Sequence, residues 1–235
     1  MYKKCFAQRI GNNKHLIHLW EDTGYSKVEW TNKSYTECDE ADATHTGLNG
    51  EPLRKVSNWK SDNPKLHFHD MPAYQKFLVE KYGINDEPSV TQREMFFDIE
   101  IEMGEALTEE YIKSAPKKVT SIAWYDKQVD EWAILLLDTK GKLNRTKAKN
   151  KEIIPVTTED ELLMKFIERF REIDPDIIVG WNSDYFDIPY LYYRICNVLG
   201  EDIARYLSPI GYVRETPWYK DQFIQIAGVE SLDYM

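Results

Sequence analysis

The stretch MFFDIEIE, residues 95–102, sets Asp98, Glu100 and Glu102 at alternate positions of an otherwise apolar run. Side chains two apart on a strand point the same way and lie roughly 7 Å apart. Asp98 and Glu100 therefore share one face, and Phe97, Ile99 and Ile101 share the other. Two carboxylates in that arrangement repel unless a cation stands between them. Burying them unpaired is costly, or holds one of them protonated. An acidic, oxygen-only site of this kind suits Mg²⁺ or Mn²⁺. The alternative reading is the solvent face of an amphipathic edge strand. Glu102 sits roughly 13 Å along the strand from Asp98 by the same rise and is read as a surface acid.

A second stretch, DIIVGWNSDYFDIPYL at 176–191, runs strand, turn, helix start. Asn182, Asp184 and Asp187 then fall in the loop at the strand's carboxyl end, where open α/β sheets commonly place their sites. Each acid also has an ordinary reading, Asp187 as a helix cap just before Pro189 and Asp184 as a turn acid. Trp181 and Phe186 are either core or platforms on which bases stack. Lys142, Arg145, Lys147, Lys149 and Lys151 make a basic loop that is either solvated or set against a nucleic-acid backbone. Tyr190, Tyr192 and Tyr193 read as core and partner surface. Arg194 and Arg205 either face a groove or pair with neighbouring acids. His67 and His69 share a strand face, but no further ligands accompany them, so a zinc site is not expected.

The elements that must position these groups follow from periodicity. KCFAQRI, HLIHLWED and SKVEWTN alternate as short strands, followed by a polar, turn-rich stretch with Asn49-Gly50 and Asn63-Pro64 as turn signals. MPAYQKFLVEKYG reads as a helix that Gly83 stops. INDEPSVTQRE connects to a second domain, which divides the chain at 1–92 and 93–235. There, EMFFDIEIE is a strand and VTSIAWYDKQVDEWAILLLD a hairpin. Thr158 and Glu161 form a capping box that opens a helix with Leu162, Leu163, Phe166, Ile167 and Phe170 on one face. DIIVGWN is a strand, DIPYLYYRICNVLG a helix, and IQIAGVESLDYM a further strand. The sum is an α/β chain built on a mixed sheet.

A formal net charge of −10 counts against a globally basic, DNA-coating protein. It leaves room for nucleic acid held through a local groove or through bound cations. Three separated cysteines without a CxxC pair suit a reducing compartment. No run approaches the 18 or more apolar residues of a membrane span, so a soluble, cytoplasmic protein with no membrane partner is expected.

FFDIEIE followed by GWNSDYFDIPYL resembles the first two exonuclease motifs of the 3′–5′ proofreading domain in family B DNA polymerases. The whole chain, including HTGLNGEPLRK and VESLDYM, is similar to the N-terminal part of the T-even-type phage branch of that family. The resemblance implies an RNase H-like exonuclease domain preceded by a small α+β N-terminal domain, in a host-cell cytoplasm. It implies that Asp98, Glu100 and Asp187 are catalytic and hold Mg²⁺ or Mn²⁺ in a two-metal site, and that Asn182 and Phe186 lie near a bound strand. The implied partners are a single-stranded 3′ DNA end, the remainder of a polymerase and, for the N-terminal region, operator RNA. The family's third motif pairs a tyrosine with an aspartate four residues later. Asp202, Asp221 and Asp233 all lack that tyrosine. The expectation is therefore an incomplete metal site and weak or absent nuclease activity for the chain alone, whether it is a truncated piece, one half of a split polymerase, or a non-catalytic binding module.

Overall fold

The computed structural model describes residues 1–47, 49–56, 65–68, 71–83, 85, 87, 91–102, 108–216 and 224–234. The chain divides into two compact units, Met1–Val90 and Thr91–Met235.

In the first unit, β1 (Tyr2–Arg9), β2 (Lys14–Glu21) and β3 (Gly24–Thr31) form an antiparallel meander. A second sheet joins β4 (Ser34–Glu37), β5 (His45–Thr46), β6 (Pro52–Val56) and β7 (Leu66–His67) in the order β5-β6-β4-β7. β4, β5 and β6 lie in the stretch that reads as polar and turn-rich. They are too short, and bury too few side chains, for a period of two to show. The Asn49-Gly50 turn is present, with the Gly50 N–H donating to the Gly47 carbonyl at 3.1 Å. Asn63-Pro64 and His69 lie outside the described residues. His67 pairs with Glu37 at 3.2 Å. α1 (Ala73–Tyr82) packs Phe77 against Ile17 and Leu19 of β2 and ends at Gly83.

The second unit begins with β8 (Glu94–Ile101), α2 (Glu109–Ser114), β9 (Val119–Asp126) and β10 (Glu131–Leu137). β11 (Thr146–Ala148), β12 (Lys151–Val156), α3 (Glu159–Ile173), β13 (Ile177–Gly180) and α4 (Asp187–Leu199) follow. α5 (Glu201–Ala204), β14 (Val213–Glu215), β15 (Ile224–Ile226) and β16 (Glu230–Asp233) complete it. Seven strands form a mixed sheet in the order β11-β12-β10-β9-β8-β13-β16. β8, β9 and β10 run antiparallel in turn, while β12 is parallel to β10, β13 to β8 and β16 to β13. β8 is therefore an interior strand, not an edge.

Two local readings change. The basic loop folds back as the β11–β12 hairpin at the sheet edge. Pro155 hides β12 from sequence patterning, yet it sits beyond the reach of β11, where its missing N–H breaks no ladder on that side. The single strand expected near the end is two: β15 pairs with β14, and β16 joins the main sheet after a turn with Gly228 at φ +84°.

Met95, Phe97 and Ile99 of β8 meet Leu162, Phe166 and Phe170 of α3 and Ile188, Leu191 and Ile195 of α4 in one core. Each such side chain contributes about 1.5–3 kcal/mol on burial. Thr158 caps α3 by accepting the Glu161 N–H at 3.4 Å, as the capping box predicts. Among the described residues no helix is long and apolar enough to cross a membrane.

α4 is locked to α3 by a buried ion pair. Arg194 donates from Nε and Nη2 to the two oxygens of Glu159 at 2.7 Å each, and from Nη1 to the Ala115 carbonyl at 3.0 Å. Glu159 also accepts the Val119 N–H at 2.8 Å. Arg205 pairs with Asp202 at 3.5 Å on the surface. Neither arginine's charge is thus left to a groove. Arg194→Met strands a buried carboxylate, and denaturant unfolding should show a loss of about 3–5 kcal/mol. A loss below about 1 kcal/mol would mean the pair does not hold α4.

Candidate functional site

Phe96, Asp98 and Glu100 project from one exposed face of β8, while Met95, Phe97 and Ile99 are buried on the other. β13 follows β8 only as far as Val179 opposite Phe96. Beyond that point the edge of β8 on the β13 side lacks a strand partner, and a buried N–H there must be satisfied by other means. Asp187 does this: its Oδ1 accepts the Ile99 N–H at 3.0 Å. The hydrogen bond joins the two acidic stretches of the sequence directly.

The turn between β13 and α4 makes that reach possible. A Cβ on Gly180 would lie 2.6 Å from Ser183 Cβ and 3.3 Å from the Phe97 carbonyl oxygen, so only glycine fits. Asn182 takes the left-handed conformation at φ +56°, which asparagine tolerates. Its carbonyl accepts the N–H groups of Tyr185 at 3.3 Å and Phe186 at 3.0 Å. The chain thus completes a tight loop and enters α4 with Asp187 as its first residue. Asn182 has a conformational reason for its place, independent of any ligand.

Asp187 is 3% exposed. Burial pushes its carboxyl up to about 7; the Ile99 N–H opposes this, and the charges of Asp98 and Asp233 add to it. Asp98 and Asp187 are therefore close enough to sense one another. Oxygen donors of this type fit a hard divalent cation, and Mg²⁺ is commonly held by one or two carboxylates plus substrate phosphates. Among the described residues no group of three or more His, Cys, Asp or Glu side chains is placed to hold a metal ion. The structure brings Asp98 and Asp187 together, with Glu100 on the same open face as Asp98, and does not assemble the three as a cluster.

Residues 70–216 match the family described as DNA polymerase family B, exonuclease domain. The chain belongs to this family. It is 27% identical over 247 residues to the DNA-directed DNA polymerase of Escherichia phage RB69, covering 89% of this chain and 27% of that protein. It is 34% identical over 86 residues to the DNA-directed DNA polymerase of Enterobacteria phage T4, covering 35% of this chain and 10% of the relative. A DNA polymerase of Pyrococcus glycovorans matches at 30% over 126 residues, 54% of this chain and 14% of the relative. The chain thus spans about a quarter of the RB69 protein and less of the other two.

Around the acids of this family B chain, the aromatic residues divide. Phe186 leans on the core with its ring 5.6 Å from that of Tyr190. Tyr190 and Tyr192 are buried, as expected of core. Trp181 instead stands 71% exposed. It lines a groove of about 740 Å³ together with Asp98, Phe96, Trp132, Ile153 and Tyr234. Tyr125 and Trp132 stack there at 4.2 Å. Arg145 and Lys147 of the β11 region are drawn to Glu152, at 2.6 and 4.0 Å.

Motif spacing overlooks two positions. Asp184 is buried, not a plain turn acid, and its side chain accepts from Ser231 of β16. Asp233 accepts the Asp184 N–H. The available signal is the polar alternation of Ser231 and Asp233 in a strand, the same pattern that marks Asp98 and Glu100.

The folded-state value of Asp187 lies above the unfolded 3.8, so protonation favours the fold. That stability is complete below about pH 4 and is lost as pH climbs through about 7. Asp187→Asn keeps an oxygen for the Ile99 N–H and removes the charge. In EDTA it should exceed the parent in stability at pH 8 by on the order of 2–4 kcal/mol, by less at pH 5, and match it below about pH 4. An offset of the same size at both pH values would disprove the assignment.

Proposed function

We propose that residues 93–235 form the 3′–5′ proofreading exonuclease domain of a phage-type family B DNA polymerase, and that residues 1–92 form the polymerase's small N-terminal domain. The single observation that carries the reading is the Ile99 N–H bond to Asp187, which sets the second motif's acid beside the first motif's strand. The strand order β10-β9-β8-β13-β16, with β9 antiparallel to its neighbours, supports an RNase H-like fold.

In this reading Asp98 and Asp187, joined by Glu100, hold Mg²⁺ or Mn²⁺ against the terminal phosphodiester of a single-stranded 3′ DNA end. When bound, such ions would stabilise charge on the departing 3′-oxygen and acidify the attacking water. The chain's own part is positional. Asp187 fixes the distance between α4 and β8, Asp98 offers its carboxylate from the open face, and the Asn182 turn carries Trp181 to the rim of the groove. Trp181 is better placed than Phe186 for a base to stack on.

The lack of a tyrosine four residues before Asp202, Asp221 or Asp233 favours a chain that cuts weakly by itself. We assign the part of the large groove away from Asp98 and Trp181, lined by Trp132 and Ile153, to polypeptide from the remainder of a polymerase, not to a nucleic-acid backbone. Its walls are mainly aromatic and aliphatic, with Lys151 as the cation among its lining residues; Arg145 and Lys147 do not line it and are drawn to Glu152. The operator-RNA reading of the first unit rests on the resemblance alone.

A 3′-labelled single-stranded oligonucleotide with Mg²⁺ tests the proposal. The chain alone should digest it slowly, the chain mixed with the remaining polymerase polypeptide at least about 10-fold faster, and Asp187→Asn should abolish both. Mn²⁺ titration should show binding that Asp98→Asn and Asp187→Asn weaken at least about 10-fold. Digestion that survives Asp187→Asn would overturn the reading.

A further inference from the structure

β16 supplies a carboxylate that lies outside the family match, which ends at residue 216. In the parallel pairing of β13 with β16, Asp233 stands opposite Gly180, at the point where the chain leaves the sheet for the loop into α4. Its Oδ2 accepts the Asp184 N–H at 3.0 Å. Two residues earlier, Ser231 Oγ donates to Asp184 Oδ1 at 2.5 Å. Both the main chain and the side chain of Asp184 are thus tied to β16. The Tyr234 N–H, donating to the Gly180 carbonyl at 3.0 Å, holds the same corner.

The corner leads straight to the candidate site. Ser183, next to Asp184, packs over Gly180, and its carbonyl accepts the Ile188 N–H at 2.9 Å in the first turn of α4. Asp187 lies in that turn, and its carboxylate reaches Ile99 on β8. A shift of the loop relative to β16 therefore moves Asp187 relative to β8. Hydrogen bonds to a carboxylate are roughly twice as strong as neutral ones, which suits Asp233 to hold such a corner. Its other oxygen, Oδ1, is buried and accepts no hydrogen bond among the described residues. The Asp233 charge also bears unfavourably on Asp187. A divalent cation near Asp187 would relieve that repulsion.

We propose that Asp233 is a positioning residue: through the Asp184 N–H it fixes the β13–α4 loop, and so sets the Asp187 carboxylate against β8. The inference deepens the proposed cation site and rests on that reading for its meaning in catalysis, but the mechanical link is measurable without it.

Amide hydrogen exchange of the intact chain in EDTA reads the link directly. Asp233→Ala should speed exchange at Asp184 and also at Ile99, on a different strand, at least about 10-fold, with Ile122 in the core unchanged. Asp233→Asn keeps an acceptor and should hold Ile99 near the parent rate. Ser231→Ala, which removes one of two ties and is the milder change should Asp233→Ala not fold, should give an intermediate acceleration at both amides. Mn²⁺ affinity should fall at least about 5-fold in Asp233→Ala and less in Asp233→Asn. Unchanged Ile99 exchange in both Asp233→Ala and Ser231→Ala would overturn the proposal, as would an Asn variant that behaves like the Ala variant. If the parent chain binds no Mn²⁺, the cation reading of Asp98 and Asp187 fails, while Ile99 exchange still decides the role of Asp233.

Discussion

The Asp187 carboxylate is both a backbone partner and a charge, and these two duties set the terms for the rest of the second unit. β13 parts from β8 after Val179, which leaves the Ile99 N–H in need of an acceptor on a buried edge. A carboxylate from the first residue of α4 meets the need, and so an acid becomes buried beside the exposed Asp98. Gly180 without a side chain, Asn182 in a left-handed turn and the Arg194–Glu159 pair beneath α4 are the conditions that make the reach geometrically possible.

The same arrangement is electrostatically unsettled. Burial and the charges of Asp98 and Asp233 all favour the protonated form of Asp187, against the backbone N–H groups of Ile99 and of Asp187 itself. On the proposed reading, a chain of net charge −10 meets a polyanion and needs some means of reversing the local field. Divalent cations do so where carboxylates are already pressed together, and this is why an acidic chain is compatible with a nucleic-acid substrate.

The sheet is two-faced in a way that matters for partners. α3 and α4 cover one side with a continuous apolar core, whereas the side bearing Asp98 carries a broad groove with Trp132, Trp181 and Tyr234 at its surface. Patches of that kind mark contact surfaces more often than free solvent faces.

Much of this was legible in local pattern. Alternation exposed the acids of β8, the capping box placed the start of α3, and Pro189 with Gly200 bounded α4. The motif strings carried the family. What local pattern could not supply were pairings between distant segments. β12 escaped notice because its proline is harmless only beyond the end of β11, a fact of register. Asp184 read as a turn acid because the strand that buries it lies almost fifty residues away. Sequence alone determined which residue types line each strand and helix, since periodicity and capping are properties of neighbours in the chain. Tertiary structure alone decided that Asp187 would meet Ile99 and that Asp233 would hold the loop. Those contacts depend on the order and register of parallel strands, which no short-range preference encodes.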